Sequence, residues 1–456
     1  MKPKLAISIP TYGYPNSVTA NISRLLECKR QDIEIVVVDN DASGTQIKKQ
    51  MLEIHDKRFH YYQNECNIGR ANNIVKAVER AEADFVLLMS SDDELYLDSI
   101  GELIGVIDQF SNLALIMGTI VTDLGGQAYA KIAAGRYEKG FQVLNVLPFL
   151  GNLLPFVINK KYIKCAQLYG LEETYMQNRL ALTVANSGDL VVLDRIIGMQ
   201  VDNMSDRYGG TIEIFENGTG LSTWNTGGCY YGPYNRIEQL KAELDIINQY
   251  QMRMDKKLKI VDKFVSRRMG HLCTYIVGCH DPYEVKVAGT EGFMTYEEVF
   301  NIFLERMEKY FVEIEQKKYY IFSGRLQDII KNELLLIEQA ETIMCKIKEN
   351  NVVVWEQGDK SRKLIGMLGL MNIRVKGIIA DKSNVYDDVQ TYELKDLKPL
   401  DVVLIPDVYN DDIETQLKKE NFDRYFFMDQ MNKYLAVVYC SKHLDENSMK
   451  PFLNYY

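Results

Sequence analysis

The sequence predicts an α/β protein, and three observations carry that prediction. Strand-like and helix-like segments alternate over the first 235 residues. The strand-like segments are continuous apolar runs rather than alternating ones, as parallel strands covered on both faces require. A second alternating block opens at Asn351, after long stretches rich in Leu, Ile, Glu, Lys and Gln at helical spacing.

The elements follow in order. Leu5 to Ile9 reads as a strand closed by Pro10-Thr11-Tyr12-Gly13, and Val18 to Glu27 has helical spacing. Glu34 to Val38 is a second strand, ending in the turn-rich Asp39-Asn40-Asp41-Ala42-Ser43-Gly44. Ile47 to Ile54 is helical and Phe59 to Gln63 a short strand. Asn67-Ile68-Gly69-Arg70 opens a helix through about Glu82. The apolar run Phe85-Val86-Leu87-Leu88-Met89 then stops at Ser90-Ser91-Asp92-Asp93-Glu94. Further strands lie near Leu115–Val121 and Phe156–Ile158. Strand and helix alternation of this kind implies a parallel sheet with crossover helices. Ile237 to Phe264 and Tyr296 to Glu349 read as long helices, with a turn at Phe322-Ser323-Gly324. In the last block, Val352 to Trp355, a helix from Ser361 to Met371 and Val375 to Ala380 form a βαβ unit. The strand Asp401 to Pro406 and a helix from Asp411 to Glu420 complete it. Three domains result: 1–235, a helical linker or packing region over 236–349, and a small Rossmann-like domain over 350–456.

Composition narrows the function. At 456 residues, the chain exceeds one typical core. A formal charge of −10 argues against a generic nucleic-acid binder, which carries a basic patch or stripe. The eight cysteines include no CxxC pair; Cys273 and Cys279 with His271 and His280 fit no common zinc finger and read as buried thiols. No signal peptide is expected ahead of Leu5, and no stretch reaches the ~18 apolar residues of a membrane span. The expected location is cytoplasmic, including the inner face of the membrane.

The acidic strand end carries the most chemistry. Open α/β sheets bind ligands at the carboxyl ends of their strands, and two adjacent carboxylates repel unless a cation joins them. Mg²⁺ and Mn²⁺ prefer oxygen ligands and bridge protein carboxylates to substrate phosphates. Asp92 and Asp93 therefore suggest a metal-bridged nucleotide diphosphate, with capping of a following helix as the plainer alternative.

Four segments together resemble the family 2 glycosyltransferases, whose catalytic domain has the nucleotide-sugar-binding GT-A fold: Ser8-Ile9-Pro10-Thr11-Tyr12, Val36-Val37-Val38-Asp39-Asn40, Asn67-Ile68-Gly69-Arg70-Ala71-Asn72-Asn73 and Ser91-Asp92-Asp93-Glu94-Leu95. The resemblance covers about half of the chain. It implies that Pro10, Tyr12 and Asp39 contact a uracil, that Arg70 approaches the phosphates, and that Asp93 holds Mn²⁺ or Mg²⁺ while Asp92 holds the ribose or shares the metal. Ser90 and Ser91 stand where the family often has further aspartates. Leu171-Glu172-Glu173-Thr174-Tyr175-Met176-Gln177-Asn178-Arg179-Leu180 matches the spacing of the family's general-base segment, with glutamate for aspartate. Glu173 is the implied base and Glu172 the alternate; a solvated helix start is the plainer reading of both. Asp202 falls where the family often places a histidine, and Trp224 lies in a glycine-rich segment that would suit a lid.

The implied activity is inverting, metal-dependent transfer of a hexosyl or N-acetylhexosaminyl group from a UDP-sugar to a glycan, a lipid-linked sugar or a protein glycoconjugate. Two alternatives stand beside it: a non-catalytic nucleotide-sugar-binding scaffold, and a nucleotidyltransferase, which normally opens with a glycine- and basic-rich phosphate loop rather than Pro10-Thr11-Tyr12-Gly13. The helical region offers a seam for self-association. The C-terminal block resembles nucleotide-binding-like modules. Asp381 lies close to the ~20-residue spacing of a ribose-binding acid after Gly358, but Glu356-Gln357-Gly358-Asp359-Lys360-Ser361 keeps one glycine of a GxGxxG loop and its acids would repel a pyrophosphate, so scaffolding or partner docking is expected there.

Overall fold

The computed structural model describes residues 2–12, 15–43, 45–122, 132–148, 153–171, 173, 175–200, 233–265, 305, 309, 312, 320–380, 390–407, 410–428 and 431–442. Two compact units divide the chain: Met1–Tyr230 with Tyr234–Phe264, and Tyr231–Pro233 with Val265–Tyr456. The helical region expected over 236–349 is shared between them.

The first unit is built on β1 (Leu5–Thr11), β2 (Ile33–Asp39), β3 (Phe59–Gln63), β4 (Phe85–Leu88), β5 (Glu94–Leu95), β6 (Leu113–Thr122), β7 (Gly135–Tyr137), β8 (Phe156–Asn159) and β9 (Asp189–Gln200). Their order is β3-β2-β1-β4-β8-β6-β9-β5, with β7 beside β9. β1 to β4 are parallel, as the apolar runs predict. The sheet is mixed, however, because β8 enters antiparallel between β4 and β6.

Both faces are covered. On one, Leu5, Ile7 and Ile9 of β1 and Ile33, Ile35 and Val37 of β2 meet Val18, Ile22 and Leu25 of α1 (Pro15–Leu26), Ile47 and Met51 of α2 (Thr45–Leu52) and Ile100, Leu103 and Ile104 of α4 (Leu97–Gln109). On the other, α3 (Arg70–Arg80) packs on β1 and β2 through its buried Ile74, Val75 and Val78. This two-sided cover explains why β1, β2 and β4 read as unbroken apolar runs. α5 (Phe141–Val146), α6 (Met176–Ala185) and α7 (Pro233–Gln249) complete the helices named here, and residues 254–265 are also helical. Tyr250 Oη donates to Leu182 O, tying the end of α7 to α6.

Gly198 has a positional reason. A Cβ there would collide with Glu94 O and Leu154, and the close approach lets β9 pair with the short β5 that ends the acidic segment.

The second unit contains β10 (Asn351–Trp355), β11 (Val375–Ile379), β12 (Gln390–Tyr392), β13 (Asp401–Ile405) and β14 (Tyr425–Phe427), all parallel, in the order β12-β11-β10-β13-β14. The chain enters at the centre, builds one side, then returns to build the other, as in a doubly wound sheet. Helices α8 (Tyr320–Glu349), α9 (Asp359–Leu370), α10 (Asp411–Lys419) and α11 (Met431–Lys442) accompany it. α9 and α10 end at Asn372 and Asn421, whose φ values of 55° and 56° are the left-handed stops such helices favour. The turn expected at Phe322-Ser323-Gly324 is absent, because α8 runs through it. One glycine costs a helix only about 1 kcal/mol, which 29 better-placed neighbours outweigh.

Candidate active site

The strand order of the first unit reverses between β1 and β4, and their carboxyl ends frame the crevice where open α/β sheets bind ligands. Pro10 and Tyr12, both half-buried, lie at the end of β1. Asp39 closes β2 in register with Thr11. Past β4, Met89 N donates to Ser8 O at 3.0 Å, and the acidic segment begins directly beyond that bond.

Asp39 is fully buried. Its Oδ1 accepts from Asp41 N at 2.9 Å and its Oδ2 from Tyr61 Oη at 2.8 Å. It therefore makes the turn bond that its position suggests, and a second bond besides. Burial pushes its pKa up; the two donors oppose the shift without cancelling it. Burial, then the hydrogen bond to Asp39 and its charge, also raise the Tyr61 phenol. No cation offsets Asp39 among the described residues.

The largest feature missed in the sequence is an asparagine network behind this acid. Asn40 Nδ2 donates to Asn67 Oδ1 at 2.7 Å, while its Oδ1 accepts from Asn64 Nδ2 at 3.0 Å and from Ile68 N at 2.9 Å. Asn64 Nδ2 also reaches Asn73 Oδ1 at 2.9 Å, and Asn73 Nδ2 donates to Val38 O at 3.1 Å and Thr11 O at 3.3 Å. Asn67 Oδ1 accepts from Gly69 N at 2.9 Å, where a φ of 81° starts α3. The ends of β1, β2 and β3 are thus fixed to the first turn of α3, whose first residue is the half-buried Arg70. The repeated asparagines at 67, 72 and 73 were the available signal. Thr11 Oγ1, at the same strand end, is buried with no hydrogen-bond partner.

The acidic turn is held from α1. Asn21 Nδ2, buried, donates to Ser91 O at 2.8 Å and to Asp93 O at 2.9 Å. Arg24 pairs with Glu94 at 3.2 Å. Asp92 is half-buried and Asp93 only 3% exposed. Neither caps a helix: β5 follows them, and Tyr96 precedes α4 with no side-chain cap. Among the described residues no group of three His, Cys, Asp or Glu side chains could hold a metal unaided. Two carboxylates still fit Mg²⁺ or Mn²⁺, because these ions complete their shell with water and substrate phosphate oxygens.

Glu173 does not sit on a solvated helix start. Its side chain is 9% exposed, Arg179 of α6 donates from Nε to its Oε1, and its Oε2 is buried without a hydrogen-bond partner. Burial raises its pKa and Arg179 pulls the other way; Glu243 adds to the rise. α7 supplies the wall: Gln239 Oε1 accepts from Tyr175 N at 3.1 Å, and Gln239 Nε2 donates to Glu243 at 3.3 Å. Glu172, Asp202, Trp224, Asp381 and the Cys273/Cys279 cluster lie outside the described residues. Among the described residues, no helix is long and apolar enough to cross a membrane.

Residues 6–153 match the family model described as Glycosyl transferase family 2. The GalNAc(5)-diNAcBac-PP-undecaprenol beta-1,3-glucosyltransferase of Campylobacter jejuni is 24% identical over 143 residues, which is 31% of this chain and 46% of that protein. The UDP-Glc:alpha-D-GlcNAc-diphosphoundecaprenol beta-1,3-glucosyltransferase WfgD of Escherichia coli is 29% identical over 89 residues, 20% of this chain and 35% of that one. The chain therefore spans less than half the length of these relatives. Among solved structures, S. aureus TarS 1-349 in complex with UDP-GlcNAc aligns at 17% identity with a TM-score of 0.44, covering 60% of this chain and 80% of that one. The matched segment contains all four motif segments and makes up about a third of the chain: residues 6–153 match a family 2 glycosyl transferase domain.

Proposed function

We propose that this chain is an inverting glycosyltransferase that moves a sugar from a UDP-sugar to a diphospholipid-linked glycan. The observation that supports it best is that Asp39, Arg70 and the Asp92-Asp93 turn stand at or beyond the carboxyl ends of the parallel strands β2, β3 and β4, inside the segment that matches the family. The printed names of the two relatives favour the finer terms, since both act on undecaprenyl diphosphate-linked acceptors and one uses UDP-Glc.

Each residue has a task that follows from its chemistry. Asp39 accepts from the uracil N3–H, and Tyr12 offers its ring alongside Pro10. Arg70 is a rigid fork of donors suited to phosphate oxygens. Asp92 and Asp93 would hold Mn²⁺ or Mg²⁺, which when bound offsets charge on the departing diphosphate. Glu173 takes the proton of the acceptor hydroxyl through Oε2 as the acceptor oxygen bonds to the anomeric carbon and the bond to UDP breaks. A base raised by burial suits that role, because general bases work best with a pKa near the operating pH. Arg179 orients it.

The test is UDP release from a panel of UDP-sugars with Mn²⁺ and undecaprenyl diphosphate-linked GlcNAc or GalNAc, comparing wild type with Asp93→Ala. Turnover by wild type that the variant loses supports the reading. Tight UDP-sugar binding with no turnover on any acceptor would favour the scaffold instead.

A further inference from the structure

The second unit resembles a nucleotide-binding sheet, yet the usual ligand end of that sheet is filled by its own side chains. Glu356 Oε1 accepts from Gly358 N at 2.8 Å, at the very start of α9. Ser361 Oγ accepts from Gln357 N at 2.6 Å and donates to Trp355 O at 3.1 Å. Lys360 pairs with Asp407 at 2.6 Å across the switch point. A carboxylate thus occupies the helix N-terminus where a pyrophosphate would sit.

The opposite end is open. A cleft of about 640 Å³ lies at the amino ends of β10, β11 and β12, within the size range of small-molecule sites. Among the described residues three cations line it and no acid does: Lys348 from the last turn of α8, and Arg374 and Lys376 from the start of β11. In a chain of net charge −10 that grouping is a local reversal. Lys376 is neutralised by the buried Asp401 at 2.8 Å. Lys348 and Arg374 are exposed and make no ion pair among the described residues; Lys348 lies 5.6 Å over the Tyr439 ring. The C-termini of α8 and α9 face this end and bring about half a negative charge each. With Asp401 they still fall about one charge short of balancing three cations. Amides of Asn351, Asn372 and Gln390 share the lining, and each amide offers both donors and an acceptor, as sugar hydroxyls require.

We propose that this cleft binds a saccharide carrying a phosphate or a carboxylate. The anionic group meets Lys348 and Arg374, and the hydroxyls meet the amides. The residues named belong to the second unit, and the proposal does not depend on the transferase reading.

Titration calorimetry of the full chain tests it with four probes: glucose 1-phosphate, glucuronate, inorganic phosphate and neutral glucose. The expected result is binding of one or both charged sugars with a Kd of about 1 mM or tighter, and none of glucose. Glucose 1-phosphate and glucuronate separate the two anion sources. Lys348→Glu with Arg374→Glu should raise that Kd at least about tenfold. Both residues are exposed, so the fold should survive, and the double glutamine variant repeats the test without reversing charge. Lys376 is left intact because removing it strands Asp401. No charged sugar bound by about 10 mM, unchanged affinity in both double variants, or inorganic phosphate bound as tightly as the sugars would overturn the proposal.

Discussion

Asp39 in the first unit and Asp401 in the second are both fully buried aspartates on parallel strands, yet their electrostatics are opposite. Asp401 starts its strand. Burial works against its charge, but Lys376 at 2.8 Å, Lys398 N at 2.8 Å and Asn351 Nδ2 at 3.1 Å together hold its pKa below the ordinary value. Asp39 ends its strand with two neutral donors and no cation among the described residues, and burial wins. The first arrangement is complete; the second lacks the positive partner that a buried carboxylate normally has. The difference separates an acid that holds a fold together from one that costs stability, the pattern expected of the ligand-binding role proposed for Asp39.

Glu173 lies between these extremes, paired with Arg179 yet raised by burial. If it belongs with the ligand-facing acids, Glu173→Gln should lower kcat about 10²- to 10⁴-fold with UDP affinity and melting temperature little changed. Steady-state UDP release with calorimetric UDP binding measures both. Activity within about threefold of wild type, with a lower melting temperature, would move Glu173 to the structural class.

Removing the cation from the complete site should be expensive for stability. Lys376→Met leaves Asp401 buried and unpaired, at a cost of about 3–5 kcal/mol, read by denaturant unfolding. Replacing both, Lys376→Met with Asp401→Leu, should recover most of that loss. The smaller contribution of Asn21 sharpens the same point for the acidic turn. Asn21→Ala leaves Ser91 O and Asp93 O without their donor, costing about 1–3 kcal/mol and raising the Mn²⁺ concentration needed for half-maximal turnover. Asp39→Asn keeps one accepting oxygen but loses the carboxylate charge that strengthens the bond to the uracil N3–H, while relieving a buried charge. UDP binding should weaken about tenfold with a melting temperature equal to or above wild type.

The sequence made the strand ends legible because each apolar run stops in a polar turn, and Asp39, Arg70, Asp92 and Asp93 stand within such turns or next to them. The asparagine network was not legible. Its members at 40, 64, 67 and 73 come from two turns and a helix, and only the packed β1-β2-β3 ends bring their amides together. The antiparallel β8 was hidden for the same reason that β1 was visible: it is buried on both faces, so its four apolar-to-polar residues carry no direction. Gln239 and Glu243 read as ordinary helix polar residues, and nothing local told that they would face Tyr175 and Glu173.

The finest test of the two buried aspartates is how their replacement responds to pH. An aspartate whose folded pKa is raised binds its proton more tightly in the native state. Wild type therefore loses stability as pH rises from about 4, the ordinary aspartate value, through the raised native value. Asparagine does not titrate, so the melting temperature of Asp39→Asn relative to wild type should climb across that window and then level off. Asp401 has the reverse sign. Its stabilisation is fully present above about pH 4 and is lost as pH falls through its lowered native value. The deficit of Asp401→Asn should thus be constant above about pH 4 and shrink below it. Scanning calorimetry of both variants and wild type from acid to neutral pH reads the two curves. Parallel curves would mean that Asp39 is as fully compensated as Asp401, and the assignment of Asp39 to the ligand would lose its electrostatic support.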